Sequence, residues 1–156
     1  MQKQGITLLE LLVLLGVFGI LLALGLPLLS PDRLALDQAA RSLAAQVTRA
    51  RLEAIRRNAF VGLHVFTEGK GGYVIFVDHN GDRHYSAGEE IQTVRFGEGA
   101  WSRVRLDPGQ STLGNLPFLF DPRGIPYGLG TGTIALASGS AIRKVVISQQ
   151  GRARIQ

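Results

Sequence analysis

Gly5-Ile6-Thr7-Leu8-Leu9-Glu10 lies near the start of this 156-residue chain and leads into an uncharged apolar run at residues 11–29. Roughly 17–25 apolar residues are enough for a helix to cross a bilayer, so the run predicts a transmembrane helix. A secretory signal would have a shorter apolar region followed by a cleavage site of small residues. Because the small residue Gly5 precedes the run, cleavage after it would leave the apolar helix on the mature chain.

An acidic residue, Glu10, stands directly before this apolar run. An acid beside a membrane helix is costly, which indicates a function and a charged partner. Two opposite charges brought together in an apolar bundle offset each other's desolvation, whereas either one alone is expensive. A charge at this position therefore calls for an oppositely charged partner. The alternative is an ordinary N-terminal membrane anchor, which has no need for an acid five residues after a glycine.

The order of Gly5, a bulky apolar residue, Glu10 and an apolar helix resembles the class III signal of type IV pilins and type II secretion pseudopilins. In that family a prepilin peptidase cuts after the glycine and methylates the new N-terminus. The resemblance thus implies cleavage between Gly5 and Ile6 and N-methylation of Ile6, although the family's usual residue after the cut is Phe. It also implies that Glu10 pairs with the N-terminal amine of a neighbouring subunit in a filament, which makes Glu10 an assembly residue rather than a catalyst.

The pattern divides the chain into four parts: a leader at 1–5, a transmembrane and assembly helix at 6–29, an amphipathic continuation of that helix at 30–58 and a β-rich globular domain at 59–156. Lys3 in the leader predicts a cytoplasmic N-terminus, hence a single-pass inner-membrane protein with a periplasmic or extracellular C-terminal domain. The chain has no cysteine, which excludes disulfides, thiolate metal sites and thiol nucleophiles.

The periodicity of apolar residues changes once along the rest of the chain. Spacings of four and three place one set on a single helix face: Leu36, Ala40, Leu43, Val47, Ala50 and Ala54. After Phe60 the pattern predicts short strands separated by turns: Val61–Phe66, Tyr73–Val77, Ile91–Phe96, Ser102–Leu106, Leu116–Phe120, Thr133–Leu136, Arg143–Ile147 and Arg152–Ile155. The predicted fold is α+β, with the long N-terminal helix packed on an antiparallel β-sandwich or on two small sheets.

The C-terminal half carries a second resemblance. Its segments Phe118–Gly124, Gly132–Leu136, Arg143–Ser148 and Gly151–Arg154 are similar to those of GspH/FimT-type minor pilins and pseudopilins. This resemblance implies a non-enzymatic filament subunit whose partners are the prepilin peptidase, other pilins or pseudopilins and the membrane. It leaves two machines open, a pilus for DNA uptake and a type II protein secretion system. No catalytic set and no cofactor are predicted.

Positive charge is concentrated at the C-terminus. Residues 6–119 contain 11 basic and 11 acidic residues, whereas residues 120–156 contain five basic residues and the single acid Asp121. Such an asymmetry indicates an acidic partner, either nucleic acid or a phospholipid surface.

Four of these cations are predicted to converge. Arg152 and Arg154 flank Ala153 and so point to the same face of a strand, and a turn at Gly151 would bring Arg143 and Lys144 alongside. Arginine forks suit phosphates and would hold a DNA backbone without reading its bases. A solubilising edge strand is the alternative. In the FimT-like branch a Gly-Arg-x-Arg pattern is associated with DNA capture in natural transformation, and residues 151–154 match it.

A polar segment between two predicted strands offers a weak calcium candidate. Asp78, Asn80, Asp82 and Glu89 occupy ligand positions of a calcium loop, but Arg83 occupies the position where that loop needs Gly. The Asp-x-Asn-Gly sequence is also a strong hairpin turn. We therefore expect a mainly structural turn without a bound metal.

Overall fold

The computed structural model describes residues 7–25, 31–113, 116–128 and 131–156. The chain divides into two compact units, Met1–Pro31 and Asp32–Gln156. In the first unit, helix α1 spans Leu8–Gly25 and carries Glu10 in its first turn. Within the described ranges, no helix is long and apolar enough to cross a membrane.

Helix α2, Pro31–Arg57, belongs to the second unit from its second residue onwards. It starts at a proline because the missing N–H of that residue has no partner in the first helical turn. One face of α2 is buried. It consists of the six apolar residues predicted to share a helix face, together with Ala39. The alanines on this buried face are small, so the helix backbone can approach the residues packed against it closely.

In the described residues that follow, nine strands form two antiparallel sheets. Their bounds are β1 Val61–Phe66, β2 Gly72–Val77, β3 Glu90–Arg95, β4 Arg105–Leu106, β5 Phe118–Phe120, β6 Pro126–Tyr127, β7 Gly132–Ser138, β8 Ala141–Ile147 and β9 Ala153–Ile155. The first sheet has the order β3-β2-β1-β5-β6 and the second β4-β7-β8-β9. Two short 3-10 turns, Gly99–Trp101 and Pro108–Gln110, flank β4.

Helix α2 and both sheets share one hydrophobic core. Its largest buried side chains come from all three elements and include Leu36, Leu43, Phe118, Phe120, Ile134 and Ile147. A second, smaller cluster of Val74, Phe76 and Leu119 covers the other face of the first sheet. The predicted α+β fold, with a helix on antiparallel sheets, is confirmed.

Two local predictions differ from the structure. Of the predicted strand at residues 102–106, Ser102 and Arg103 form a turn and only Arg105–Leu106 pairs with β7. Strand β6 was not predicted, because two residues are too few to show an alternating pattern.

Candidate functional site

The apolar surface of α1 is the first feature with a functional implication. From Leu8 to Leu22 its side chains are exposed, and Leu8 reaches 83% exposure. An exposed apolar surface of this extent marks a site of association with other apolar groups. Glu10 is an exposed residue at the start of this surface, where its backbone N–H donates to Thr7 Oγ1 at 3.3 Å. Gly5 and Ile6, the predicted cleavage and methylation site, lie outside the described residues.

The second feature is the turn that leads into β9. Gly151 has a φ of 73° and its N–H donates to the Ser148 carbonyl at 2.8 Å. A Cβ at this position would lie 2.6 Å from Phe120 Cε1 and 3.0 Å from Pro126 Cγ. Both the left-handed backbone and the close approach to Phe120 require glycine. Gly151 therefore fixes where the two arginines that follow it emerge.

The pairing of β8 with β9 places three cations on one face. Arg154 lies opposite Val146, Arg152 follows the turn opposite Ser148, and Lys144 exchanges backbone hydrogen bonds with Gln156 at 2.9 and 2.8 Å. Directly opposed residues of an antiparallel pair share a face. The other face carries Val145 and Ile147, both buried in the core. Lys144, Arg152 and Arg154, which we call the basic face, therefore point away from the core.

Arg143 does not join the basic face, which corrects the prediction that all four cations converge. Adjacent residues of a strand point to opposite faces, so Arg143 and Lys144 cannot lie side by side. The Arg143 guanidinium instead forms an ion pair with Asp37 of helix α2, at 2.7 Å from Nε to Oδ1. The sequence shows no sign of this partner, because Asp37 precedes Arg143 by 106 residues.

The cations of the basic face have no acidic partner among the residues that the structure describes. Across the described part of the chain, the ion pairs between side chains leave out Lys144, Arg152 and Arg154. Arg152 and Arg154 are exposed and Lys144 is half-buried. Strand β9 is also the edge of its sheet, so a ligand can approach it from the front and the side. The arrangement is suited to holding phosphate groups.

The segment Asp78–Glu89 uses its carboxylates to bind its own backbone. Asp78 accepts hydrogen bonds from the N–H groups of Gly81 at 2.7 Å and Arg83 at 3.1 Å. Glu89 likewise accepts from the N–H groups of His79 and Ser86, each at 3.0 Å. In the described residues there is no group of three or more His, Asp or Glu side chains that could hold a metal ion.

The other two candidate calcium ligands bind each other. The Asn80 amide donates to the Asp82 carboxylate at 2.9 Å, and the Asp82 N–H donates to Asn80 Oδ1 at 2.9 Å. Because the carboxylates of Asp78 and Glu89 cap the backbone, the geometry favours the structural turn.

Comparison with known proteins agrees with this architecture. Residues 39–151 match the family model of the type II transport protein GspH. The chain is 69% identical, over the full length of both proteins, to the pilin-like protein PilA1 of Thermus thermophilus. The family match ends at Gly151, immediately before Arg152.

Two crystal structures of the type IV minor pilin FimU from Pseudomonas aeruginosa PAO1 share the fold. The first, in space group P21, has a TM-score of 0.60 and 21% identity and covers 80% of this chain and 90% of FimU. The second, in space group P65, has a TM-score of 0.53 and 20% identity, with coverages of 78% and 92%. The chain belongs to the GspH family of type IV pilin-like proteins, which are structural filament components and not enzymes.

Proposed function

We propose that this pilin-like protein is a minor subunit of a filament drawn from the inner membrane and that it binds DNA during uptake. The observation that carries the DNA-binding proposal is the basic face: Lys144, Arg152 and Arg154 share one outward face and are not engaged in ion pairs within the described residues. Cations that share an outward face can contact backbone phosphates without reading bases.

The proposed route into the filament starts with processing. Prepilin peptidase removes Met1–Gly5 and methylates Ile6, leaving a single-pass membrane protein with its β-rich domain on the periplasmic or extracellular side. Intact-mass measurement of the membrane-extracted protein tests this step. The expected mass is that of residues 6–156 plus one methyl group, and Gly5→Glu should block the cut. A mature chain that keeps its leader in cells with active peptidase contradicts the proposal.

Glu10 is proposed to direct assembly by pairing with the N-terminal amine of a neighbouring subunit. Its exposed position on an apolar helix supports this role, because a lone charge there needs a partner when the helix is buried in a bundle. Glu10→Val should insert into the membrane but be missing from sheared filament fractions. Incorporation at the wild-type level would exclude the role.

The DNA proposal is tested with the full-length chain in a non-ionic detergent and a random-sequence duplex about two helical turns long. Binding should be weak and independent of sequence. Because three cations neutralise about three phosphates, the basic face alone predicts a slope of log K against log salt of about −2.7. If no binding is seen even at low salt, the basic face is not a DNA site.

The alternative function is that of a pseudopilin in a type II secretion system, and the family match to GspH favours it. In that case the β-rich domain contacts other pseudopilins or secreted proteins, and the basic face only protects an edge strand. Deleting the gene separates the two functions, since loss of transformation supports DNA uptake and loss of protein secretion supports the alternative.

A further inference from the structure

The segment between β2 and β3 presents one arginine in an unusual backbone conformation. Arg83 has a φ of 61°, and in the described chain Asn58 is the one other non-glycine residue with positive φ. This region is costly for a side chain with a Cβ, and glycine would be the unstrained choice. The Arg83 N–H donates to Asp78 Oδ2 at 3.1 Å, so the buried carboxylate of Asp78 holds this conformation.

The side chain of Arg83 lies against two aromatic rings. Its guanidinium carbon lies 4.4 Å from the centroid of the Tyr127 ring and 5.5 Å from that of Phe60. The two rings are themselves in edge-to-face contact, with centroids 5.4 Å apart. Stacking of this kind orders the guanidinium while leaving its N–H donors unused. Within the described residues, Arg83 makes no ion pair and no side-chain hydrogen bond.

Tyr127 lies on strand β6, close to the turn that leads to the basic face. Tyr127 pairs with Leu119, which belongs to the small cluster on the side of the sheet away from the shared core. Its neighbour Pro126 pairs with Phe120, which belongs to the shared core. The Gly151 turn packs against Pro126. The path from Arg152 to the Arg83 guanidinium is therefore on the order of 20 Å, which is less than one turn of duplex DNA, about 34 Å.

We propose that Arg83, stacked on Tyr127, is a further phosphate-binding residue of the DNA surface, and that the Asp78–Glu89 segment serves to present it. The inference rests on the proposed DNA-binding function. Arg83 would supply the fourth cation of the DNA surface, since Arg143 pairs with Asp37. A guanidinium fixed on a ring loses less freedom when it binds a phosphate than a mobile one does. The adjacent exposed acid, Asp82, weakens the site, since it repels phosphate.

Four substitutions at three residues test the proposal in the full-length chain, with the same duplex and a salt titration from about 50 to about 200 mM. Arg83→Gly should flatten the slope by about 0.9 and weaken binding several-fold. It should leave the melting temperature unchanged or higher, because glycine fits the positive φ. Tyr127→Leu should weaken binding without changing the slope, because Arg83 keeps its charge but loses the ring that orders its guanidinium. Tyr127→Phe keeps the ring and should bind like the wild type. Asp82→Asn should strengthen binding.

The chain provides a matched control in Arg95. Its guanidinium carbon also lies over an aromatic ring, 5.4 Å from the centroid of Phe66, but β3 is at the opposite edge of the sheet from β6. Arg95→Gln should change neither affinity nor slope appreciably. Equal effects of Arg95→Gln and Arg83→Gly would reduce the result to overall charge and overturn the inference.

Two further outcomes separate this inference from the proposed function. If Arg152→Gln with Arg154→Gln weakens binding while Arg83→Gly does not, the inference fails and the proposed function stands. If the wild-type chain does not bind the duplex at all, both fail.

Discussion

The guanidinium of Arg143 donates from Nε to the Asp37 carboxylate at 2.7 Å and thereby joins strand β8 to helix α2. Both side chains are partly exposed, 38% and 39%. Alternation along β8 places Arg143 and Lys144 on opposite faces of the strand, and this ion pair gives Arg143 its partner. Arg143 connects the sheet to the helix, whereas its neighbour Lys144 lies on the other side of the strand and belongs to the basic face.

Arg143→Gln should therefore act on stability and not on DNA binding. Because the pair is partly solvated, its loss should lower the free energy of unfolding by less than about 1 kcal/mol. Urea denaturation of Arg143→Gln, Asp37→Asn and the double variant measures the coupling. The salt slope for DNA should stay at its wild-type value in Arg143→Gln and flatten in the matched variant Lys144→Gln. Equal flattening of the salt slope in both variants would show that Arg143 also contacts DNA.

Gly151→Ala should destabilise the domain through both backbone and packing. The new Cβ meets the Phe120 ring at 2.6 Å in a residue with a φ of 73°, so we expect a loss of roughly 2–4 kcal/mol. Gly128→Ala is the control, since Gly128 has a φ of 82° but open space around it. Its loss should be roughly 1 kcal/mol. Equal losses, measured by thermal unfolding, would show that the contact with Phe120 is unimportant.

Asp78→Ala should destabilise the segment between β2 and β3, because two backbone N–H groups lose their acceptor. The expected loss is roughly 1–2 kcal/mol, and millimolar calcium should not raise the melting temperature of the wild type. The exposed Asp82 is the control, and Asp82→Ala should have a smaller effect. A calcium-dependent rise that disappears in Asp78→Ala would identify a metal site instead.

His64 should make stability depend on pH in the mildly acidic range. Burial lowers the pKa of His64, and the nearby Glu68 carboxylate opposes the shift. Its Nδ1 is buried and has no hydrogen-bond partner among the described residues, while its ring stacks on Tyr85. The folded protein thus binds this proton less readily than the unfolded chain. The stability contribution is complete above the unfolded pKa of about 6.5 and declines as the pH falls below it.

Denaturant unfolding between about pH 7 and about pH 5 measures this dependence. The free energy of unfolding should fall less steeply across that range in His64→Gln than in the wild type. Identical slopes in the two proteins would mean that His64 does not titrate differently on folding.

The regular elements of the fold were predictable because they follow local periodicity. The buried face of α2 follows from spacings of three and four, and β1 from an apolar run between turn residues. Partners distant in sequence were not predictable. The pairing of Arg143 with Asp37 and the stacking of Arg83 on Tyr127 depend on tertiary packing, and the two-residue strand β6 that carries Tyr127 leaves no pattern in the sequence.

The basic face was likewise predictable only where it follows from local strand geometry. A Gly-Arg-x-Arg segment places Arg152 and Arg154 on one face by strand geometry alone, and the pairing of β8 with β9 adds Lys144. The same geometry excludes Arg143, because neighbouring residues on a strand alternate. Arg83 has a positive φ, although glycine is the residue expected at such positions. The conformation is explained by the hydrogen bond to Asp78 and the contact with Tyr127, neither of which the sequence shows.

The measurement that tests the central claim most directly compares salt slopes for two double variants of the full-length chain on the same duplex. Arg152→Gln with Arg154→Gln removes two cations from the basic face, while Arg41→Gln with Arg49→Gln removes two from helix α2, so the net charge changes equally. The first pair should weaken binding and flatten the slope by about 1.8, with the melting temperature unchanged. The second pair should leave both nearly at the wild-type values. Equal weakening by the two pairs would contradict a DNA site on the basic face and leave only an effect of overall charge.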